Sequence, residues 1–463
     1  MIKKTRTILF ILVLFLFLVS TPLIIFYSLG YRFDFENKKF FQTGAFSFKV
    51  WRPRGASVYV DNKLTKKTDF FGSVYVGNFL PKEYEIEIKK AGYLSWKKKL
   101  SVEEKWVTEN KNIYLVPEKP QFDLLSKKIT KFFVAPDGKK AVTYTIEANS
   151  WTLNLLDLNS STFSPLFGEK ELLGQEEKID FVNLEWADDS RKILLEAKSE
   201  KNRYFVIEVA ENPLLYSLNM LPDDIDEIDF LRDSQKIFFS QRSGQINALF
   251  SLDYRTGQVS DPIANNLLTF DVFFNELFWL GKEGYIHQTD LSGNIIRQPN
   301  KEAVEIDFDS DYRLSIFSED KIFLEESDNL FFLDQDKQVL EKISDRIKGV
   351  KVSQDFKKAA YFTDNEIWVL FLEEMKEQPN HAKYDKIFLS RFSNEIGDVF
   401  WWTSHYLIFS VGDVIAISEI DNRDKINIYN FSEFKNPEIF WNNSDKKLYI
   451  LSNSNLFSSV SLY

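Results

Sequence analysis

Trp401, Trp402 and His405 form the densest group of residues in this sequence that could meet a ligand. Such a cluster could stack a sugar or a peptide at the mouth of a channel. The same residues also fit the turn and inner strand of a degenerate repeat unit. Paired acids occur too, at Asp188-Asp189 and Asp223-Asp224. Such pairs can divide acid and base work, but adjacent acids on an exposed turn are usually just solvated. The three histidines, His287, His381 and His405, are isolated, and the chain has no cysteine. Disulfides, thiolate metal sites and a cysteine nucleophile are therefore excluded, and no His-rich metal site is expected. There is no phosphate loop, dinucleotide fingerprint or Gly-x-Ser-x-Gly elbow. No catalytic, cofactor-binding or metal residue is assigned, and the expectation is a protein that is not an enzyme and carries no cofactor.

The elements that must position these residues are marked first by charge. Residues 1–30 carry a net +3, residues 31–120 a net +7, and the remainder −21 of the total of −11. An acidic body of this kind argues against nucleic acid as a partner, because phosphates need a basic footprint.

Between Arg6 and Arg32 no residue is charged. Apolar runs from Ile8 to Val19 and from Leu23 to Phe26 approach the length of about 20 residues that spans a bilayer as a helix. Lys3, Lys4 and Arg6 precede the run and predict a cytoplasmic N-terminus. The run is longer than the core of a signal peptide, and Ser28-Leu29-Gly30 is a poor cleavage site. The expectation is an uncleaved single-pass anchor over 1–30, bound to membrane lipid, with the bulk of the chain outside the cytoplasm. Roughly six residues before the run leave little room for a signalling output, which disfavours a transmembrane sensor.

Residues 31–118 read as a small β domain. Phe46 to Val50 and Tyr84 to Lys89 alternate with period two, and turn signals at Asp61-Asn62 and Ala91-Gly92 separate short strands. Pro53, Gly55, Ala56, the stretch Val58 to Asp61, Leu80-Pro81, Tyr84, and Lys90-Ala91-Gly92-Tyr93 with Trp96 together resemble a PEGA domain. Arg54, Thr68-Asp69 and Glu83 depart from that pattern. The resemblance implies a β-sandwich found at cell surfaces and envelopes, with no chemistry of its own. The basic run Lys97-Lys98-Lys99 could meet anionic lipid or wall polymer, or serve as a solvated face with inward lysines that blunt a sheet edge.

Over 119–463 a turn recurs: an aromatic or apolar anchor, a short polar turn, often a basic residue, then an apolar run. Anchors fall at Phe133, Trp186, Phe230, Phe274, Phe317, Val352, Trp402 and Trp441, a mean spacing of 44 over seven steps from 133 to 441. Units of this length with several strands predict a β-propeller. The copies at Phe274 and Trp402 are degenerate, so the count is eight blades, or seven. The last copy has room for about three strands at ordinary strand length. Phe122-Asp123-Leu124-Leu125 is a spare strand that could complete it and close the ring. The Asp residues of the turns are expected to hold their own backbone rather than a metal. Phe133 to Lys140 in particular is similar to TolB-like propeller repeats, which implies protein or ligand binding at the channel ends.

The fold class is thus mainly β: an N-terminal transmembrane helix, a small PEGA-like β-sandwich and a β-propeller. The expected function is that of a membrane-anchored binding or scaffold protein of the cell envelope, with envelope proteins or cell-wall glycans as partners. The alternative is an envelope hydrolase or lyase that acts on polysaccharide through channel carboxylates.

Overall fold

The computed structural model describes residues 3–34, 38–147, 150–173, 178–231, 234–244 and 246–462. Arg232 and Asp233 of the third repeat lie outside them. Strand-forming Phe, Tyr, Val and Ile are abundant in the sequence, and the chain is mainly β accordingly.

The helix Lys3–Ser28 holds the one described segment long and apolar enough to cross a membrane, Thr5–Ser28, and its most apolar stretch is not buried against the rest of the chain. A membrane anchor or a signal sequence has this form. A short hairpin, Tyr31–Asp34 with Lys39–Gln42, follows.

Two sheets then face each other. One has the order Ser73–Phe79, Gly44–Arg52, Val107–Tyr114; the other Lys63–Lys67, Ser57–Val60, Glu83–Lys89, Trp96–Ser101. Alternation sends Phe46, Phe48 and Val50 of one sheet inward against Val58, Ile86 and Trp96 of the other, all buried. Of the motif residues, Ala56 is fully buried. Asp61 accepts the Glu85 N–H at 3.0 Å. Gly55 and Gly92 take positive φ, and Tyr93 bridges to Pro117.

Among the described residues the remaining strands form eight antiparallel sheets of four strands, one of which has a short fifth strand. In sequence they are blades 1 (129–168), 2 (180–217), 3 (225–265), 4 (267–297), 5 (312–344), 6 (349–391), 7 (396–433) and 8 (438–459). The fourth strand of blade 8 is Phe122–Lys127, paired antiparallel with Asn455–Ser459 from Phe122↔Ser459 to Lys127↔Asn455. The strand before the first repeat therefore closes the ring, and no blade is left with three strands. Apolar faces of neighbouring blades pack together. Trp151, Phe205 and Trp186 fill the space between blades 1 and 2, and Phe371, Trp401 and Phe409 that between blades 6 and 7.

The recurring turn is an Asx turn. Asp137, Asp189, Asp355 and Asp445 each accept the backbone N–H two residues on, at 2.8–3.2 Å. In two blades the basic residue after the turn pairs with its Asp: Lys192 with Asp189, and Lys358 with Asp355 at 2.9 Å, and both lysines are buried. Four anchors sit differently from the sequence alignment: by their pairing with the next strand, Val134 and Ile316 rather than Phe133 and Phe317 hold the equivalent positions in blades 1 and 5. In blade 4 the hairpin is only two residues long, so Phe274 lies in the turn and Val272 is the inner-strand equivalent. In blade 7 Trp401, not Trp402, pairs with Leu407 in the equivalent position.

Candidate functional site

The two indoles of the Trp401–His405 group are buried. Trp401 packs between blades 6 and 7, and its Nε1 donates to the Lys351 carbonyl at 2.7 Å. Trp402, 1% exposed, lies under the sandwich with Tyr114, Val116 and Leu94 over it. Tyr114 sits 5.7 Å from both the Trp402 and Tyr406 rings, and its N–H donates to the Tyr406 hydroxyl. His405 lines a cavity of about 40 Å³ with Asn110, Lys358 and Asp421, and burial lowers its pKa to about 4. Trp402 is therefore covered by the chain's own first domain and Trp401 is held between two blades, so neither indole is open to stack on an outside ligand, while His405 stays half-buried at the cavity edge.

That docking is built on the edges of the sandwich. Trp96–Ser101 and Val107–Tyr114 are the edge strands of the two sheets, and their open backbone groups would invite pairing with other chains. Side chains of blades 6 and 7 take them up. Asp424 accepts the Lys99 N–H, Gln378 accepts the Glu109 N–H and donates to the Val107 carbonyl, and Arg423 donates to the Glu109 carbonyl. Lys98 points inward, fully buried, and its Nζ lies 2.8 Å from Glu419 Oε1 and 2.6 Å from the Asp421 carbonyl. Of the basic run, Lys98 is thus an internal partner of the propeller. Lys97 pairs with Glu87 at 3.1 Å.

The open, charged surface is the lumen of the ring. Matching the inner strands by their pairing with the next strand puts one residue per blade on a common level. These are Phe133, Glu185, Asp229, Asp271, Ser315, Lys351, Phe400 and Phe440. Two residues earlier in blade 5 stands Arg313. Three carboxylates on blades 2–4 therefore share a cavity of about 540 Å³ with Asp188, Glu227 and Arg313. Alternation along the inner strands produces this arrangement: Trp186, Phe230 and Val272 turn into the blade interfaces, and the residue before each turns to the axis.

Some of these acids already have structural work. Glu227 accepts from Thr269 Oγ1 at 2.8 Å and Phe270 N at 3.0 Å, Asp271 from Ile316 N at 2.6 Å, and Asp398 from Ile439 N at 2.9 Å. In each case a carboxyl of one blade holds the inner strand of the next. Glu185 and Arg313 line the lumen with no direct hydrogen bond or ion pair among the described residues. Burial raises the pKa of Glu185, with Asp188 adding to it and Arg313 opposing. Burial also raises Glu227 to about 7 and Asp271 to about 6, against the hydrogen bonds they accept. On the facing wall, burial lowers the pKa of Lys351, opposed by Asp398.

These shifts give a pH dependence. The folded Glu227 carboxyl keeps its proton up to about 7, whereas in the unfolded chain it loses it near 4.5. Its contribution is full below about 4.5 and is lost as the pH rises through 7. Glu227→Gln should leave stability near pH 4 almost unchanged and raise it by about 1–2 kcal/mol at pH 8. Urea unfolding of both proteins at the two pH values checks this; a variant less stable at pH 8 would contradict it.

The paired acids of the sequence do not act as pairs. Asp189 is taken by Lys192 and Asp188 faces the lumen, while Asp223 pairs with Lys201 and Asp224 accepts from Gln241. Among the described residues no group of three or more His, Asp or Glu could hold a metal ion.

Ring and sandwich together define a β-propeller protein with an apolar N-terminal helix. In structure the chain is similar to the Dos1 propeller (TM-score 0.47, 14% identity, 74% of this chain and 94% of that one). It is similar also to BamB from Moraxella catarrhalis (0.42, 10%, 73% and 96%) and to the computationally designed Ika8 protein (0.46, 13%, 72% and 96%). No family model matches the sequence, and no curated protein matches it.

Proposed function

We propose that this chain is a membrane-anchored binding or scaffold protein of the cell envelope, which holds a β-propeller outside the cytoplasm for interaction with protein or glycan. The observation that carries the reading is the way the propeller is mounted. Blades 6 and 7 are bonded to the edges of a sandwich that is itself tied to an apolar helix, while the lumen between blades 2 and 5 stays open and charged. The PEGA-like motif over Pro53 to Trp96 and the TolB-like turn at Phe133 to Lys140 support an envelope setting. Helix orientation is set by Lys3, Lys4 and Arg6 on the cytoplasmic side.

The detergent-solubilised chain should retain a partner from envelope proteins or purified wall glycans, and Glu185→Gln with Arg313→Gln should weaken that retention at least tenfold. A reporter active only outside the cytoplasm, fused after residue 120, should be active. A dark reporter overturns the location. A second reading, a hydrolase or lyase, is favoured by the raised pKa of Glu185, a lumenal carboxyl with no bonded partner. Turnover of a glycan or peptide by the pure protein, abolished in Glu185→Gln, would replace the binding reading with that one.

A further inference from the structure

We infer that the base of the sandwich and the hairpin beside the helix form a collar that sits in the phospholipid headgroup layer, so that the protein rests on the membrane rather than swinging from a single tether. This rests on the reading of the helix as a membrane anchor. The segment Thr5–Ser28 has 24 residues. At about 1.5 Å per residue it exceeds a hydrocarbon core of about 30 Å by roughly one turn, which places its last turn at the headgroups.

Several bonds hold the next elements at that level. The chain turns out of the helix at Gly30, whose φ is +85. Thr43 N–H and Oγ1 both donate to the Gly30 carbonyl, at 2.9 and 3.0 Å, and Gln42 donates to the Leu29 carbonyl. Arg32 reaches back to the Tyr27 carbonyl at 2.9 Å and across to Asn78 of the sandwich at 3.1 Å, with its guanidinium 3.5 Å over the Tyr27 ring. Ala45 N–H donates to the Trp106 carbonyl, which brings the Trp106 loop to the same end.

At this level large apolar rings face outward. Phe40 is 64% and Trp106 67% exposed, and Phe33 lies edge-on to Phe40. Lys38, Lys39 and Lys105 are exposed beside them. Aromatic rings mixed with lysine are what a membrane–water interface favours. Glu103 and Glu104 share the Trp106 loop and offset part of this charge, so the rings should carry the contact. The opposite end of the sandwich offers an internal contrast. Phe70 and Phe71 are as exposed, but they lie at the Lys49↔Ser73 end of the sheet, away from the Gly44↔Phe79 end that meets the helix.

The absence of cysteine allows single labels. Phe40→Cys, Trp106→Cys, Phe71→Cys and Phe15→Cys would each be spin-labelled in the full chain. The chains are reconstituted in vesicles of phosphatidylcholine and phosphatidylglycerol, and relaxation by oxygen and by a water-soluble nickel chelate is compared. Labels at 40 and 106 should be at least threefold less accessible to nickel than the label at 71, with the label at 15 in the hydrocarbon. If 40 and 106 are as open to nickel as 71 while 15 is buried, the collar is wrong and the anchor stands. If 15 is open to nickel, or the chain does not float with the vesicles, the anchor reading fails and the collar with it. Dipolar broadening between labels at position 40 would mean that a second copy covers the surface, which also overturns the collar.

Discussion

Glu419→Ala should destabilise the junction between sandwich and propeller by about 3–5 kcal/mol, because it strands a buried ammonium. Lys98 and Glu419 have side chains 0% and 2% exposed. The carboxylate accepts from Lys98, from Trp96 Nε1 at 2.7 Å, and from Asn427 through both its backbone and its side chain. Burial pushes the Glu419 pKa up, and the Lys98 ammonium opposes this. Without the carboxylate, Lys98 keeps only the carbonyls of Asp421 and Lys425, and three further donors, Trp96 Nε1 and the backbone and side-chain N–H of Asn427, lose this acceptor. Removing both charges is a different experiment. Lys98→Met with Glu419→Gln replaces the ion pair by groups of similar size and should cost well under half as much as Glu419→Ala. The readout is proteolysis of the segment 117–121 between the two domains, which should be cut faster in Glu419→Ala than in the wild type or the double variant. Equal cutting of all three would mean that the junction does not depend on this pair.

The ring was legible in the sequence because it is local. Each hairpin carries its own turn chemistry, as in Ala135 to Lys140, and strand alternation repeats at a near-constant spacing. Even the closing strand at Phe122 could be inferred, because the last unit was one strand short. The anchors at Phe133, Phe274, Phe317 and Trp402 fell one or two residues out of register, since neighbouring aromatic or apolar residues in blades 1, 5 and 7 and a two-residue hairpin in blade 4 blur the alignment. The junction was not legible. Lys98 and Asp421 are 323 residues apart, and nothing in a basic run says that its middle lysine will be buried against a carboxylate in another domain. The tryptophans misled for the same reason: Trp402, covered by Tyr114, and Trp401, packed between two blades, look in sequence like rings set out for a ligand. The lumenal acids left a usable signal. An acid directly precedes the anchor in two successive copies, Glu185 before Trp186 and Asp229 before Phe230; Asp271 joins them only once the structure makes Val272 the blade 4 anchor, and only placement around an axis turns the series into one wall of a channel.

Gly138→Val should weaken closure of the ring by about 3 kcal/mol, the second large effect. Gly138 lies in the first Asx turn with φ +67, and a Cβ there would stand 2.1 Å from Asn442 Oδ1 and 2.7 Å from Ser444 Oγ. Those two side chains belong to blade 8 and bond the blade 1 turn: Asn442 Nδ2 donates to the Gly138 carbonyl at 2.7 Å, and Ser444 Oγ to the Asp137 carbonyl at 2.6 Å. The left-handed backbone alone costs a branched residue about 1–2 kcal/mol. Displacing Asn442 and Ser444 adds about 1 kcal/mol for each lost bond. Gly92 separates the two terms. Its φ is +82, but nothing lies within 4 Å of its Cβ position, so Gly92→Val should show the backbone cost alone, about 1–2 kcal/mol. Blade 8 is also held by the Phe122–Lys127 strand. The loss in Gly138→Val should therefore appear as earlier amide exchange in blades 1 and 8 while blades 3 to 5 keep their protection. Uniform loss around the ring would show instead that the blades open together and that closure is not a separable step.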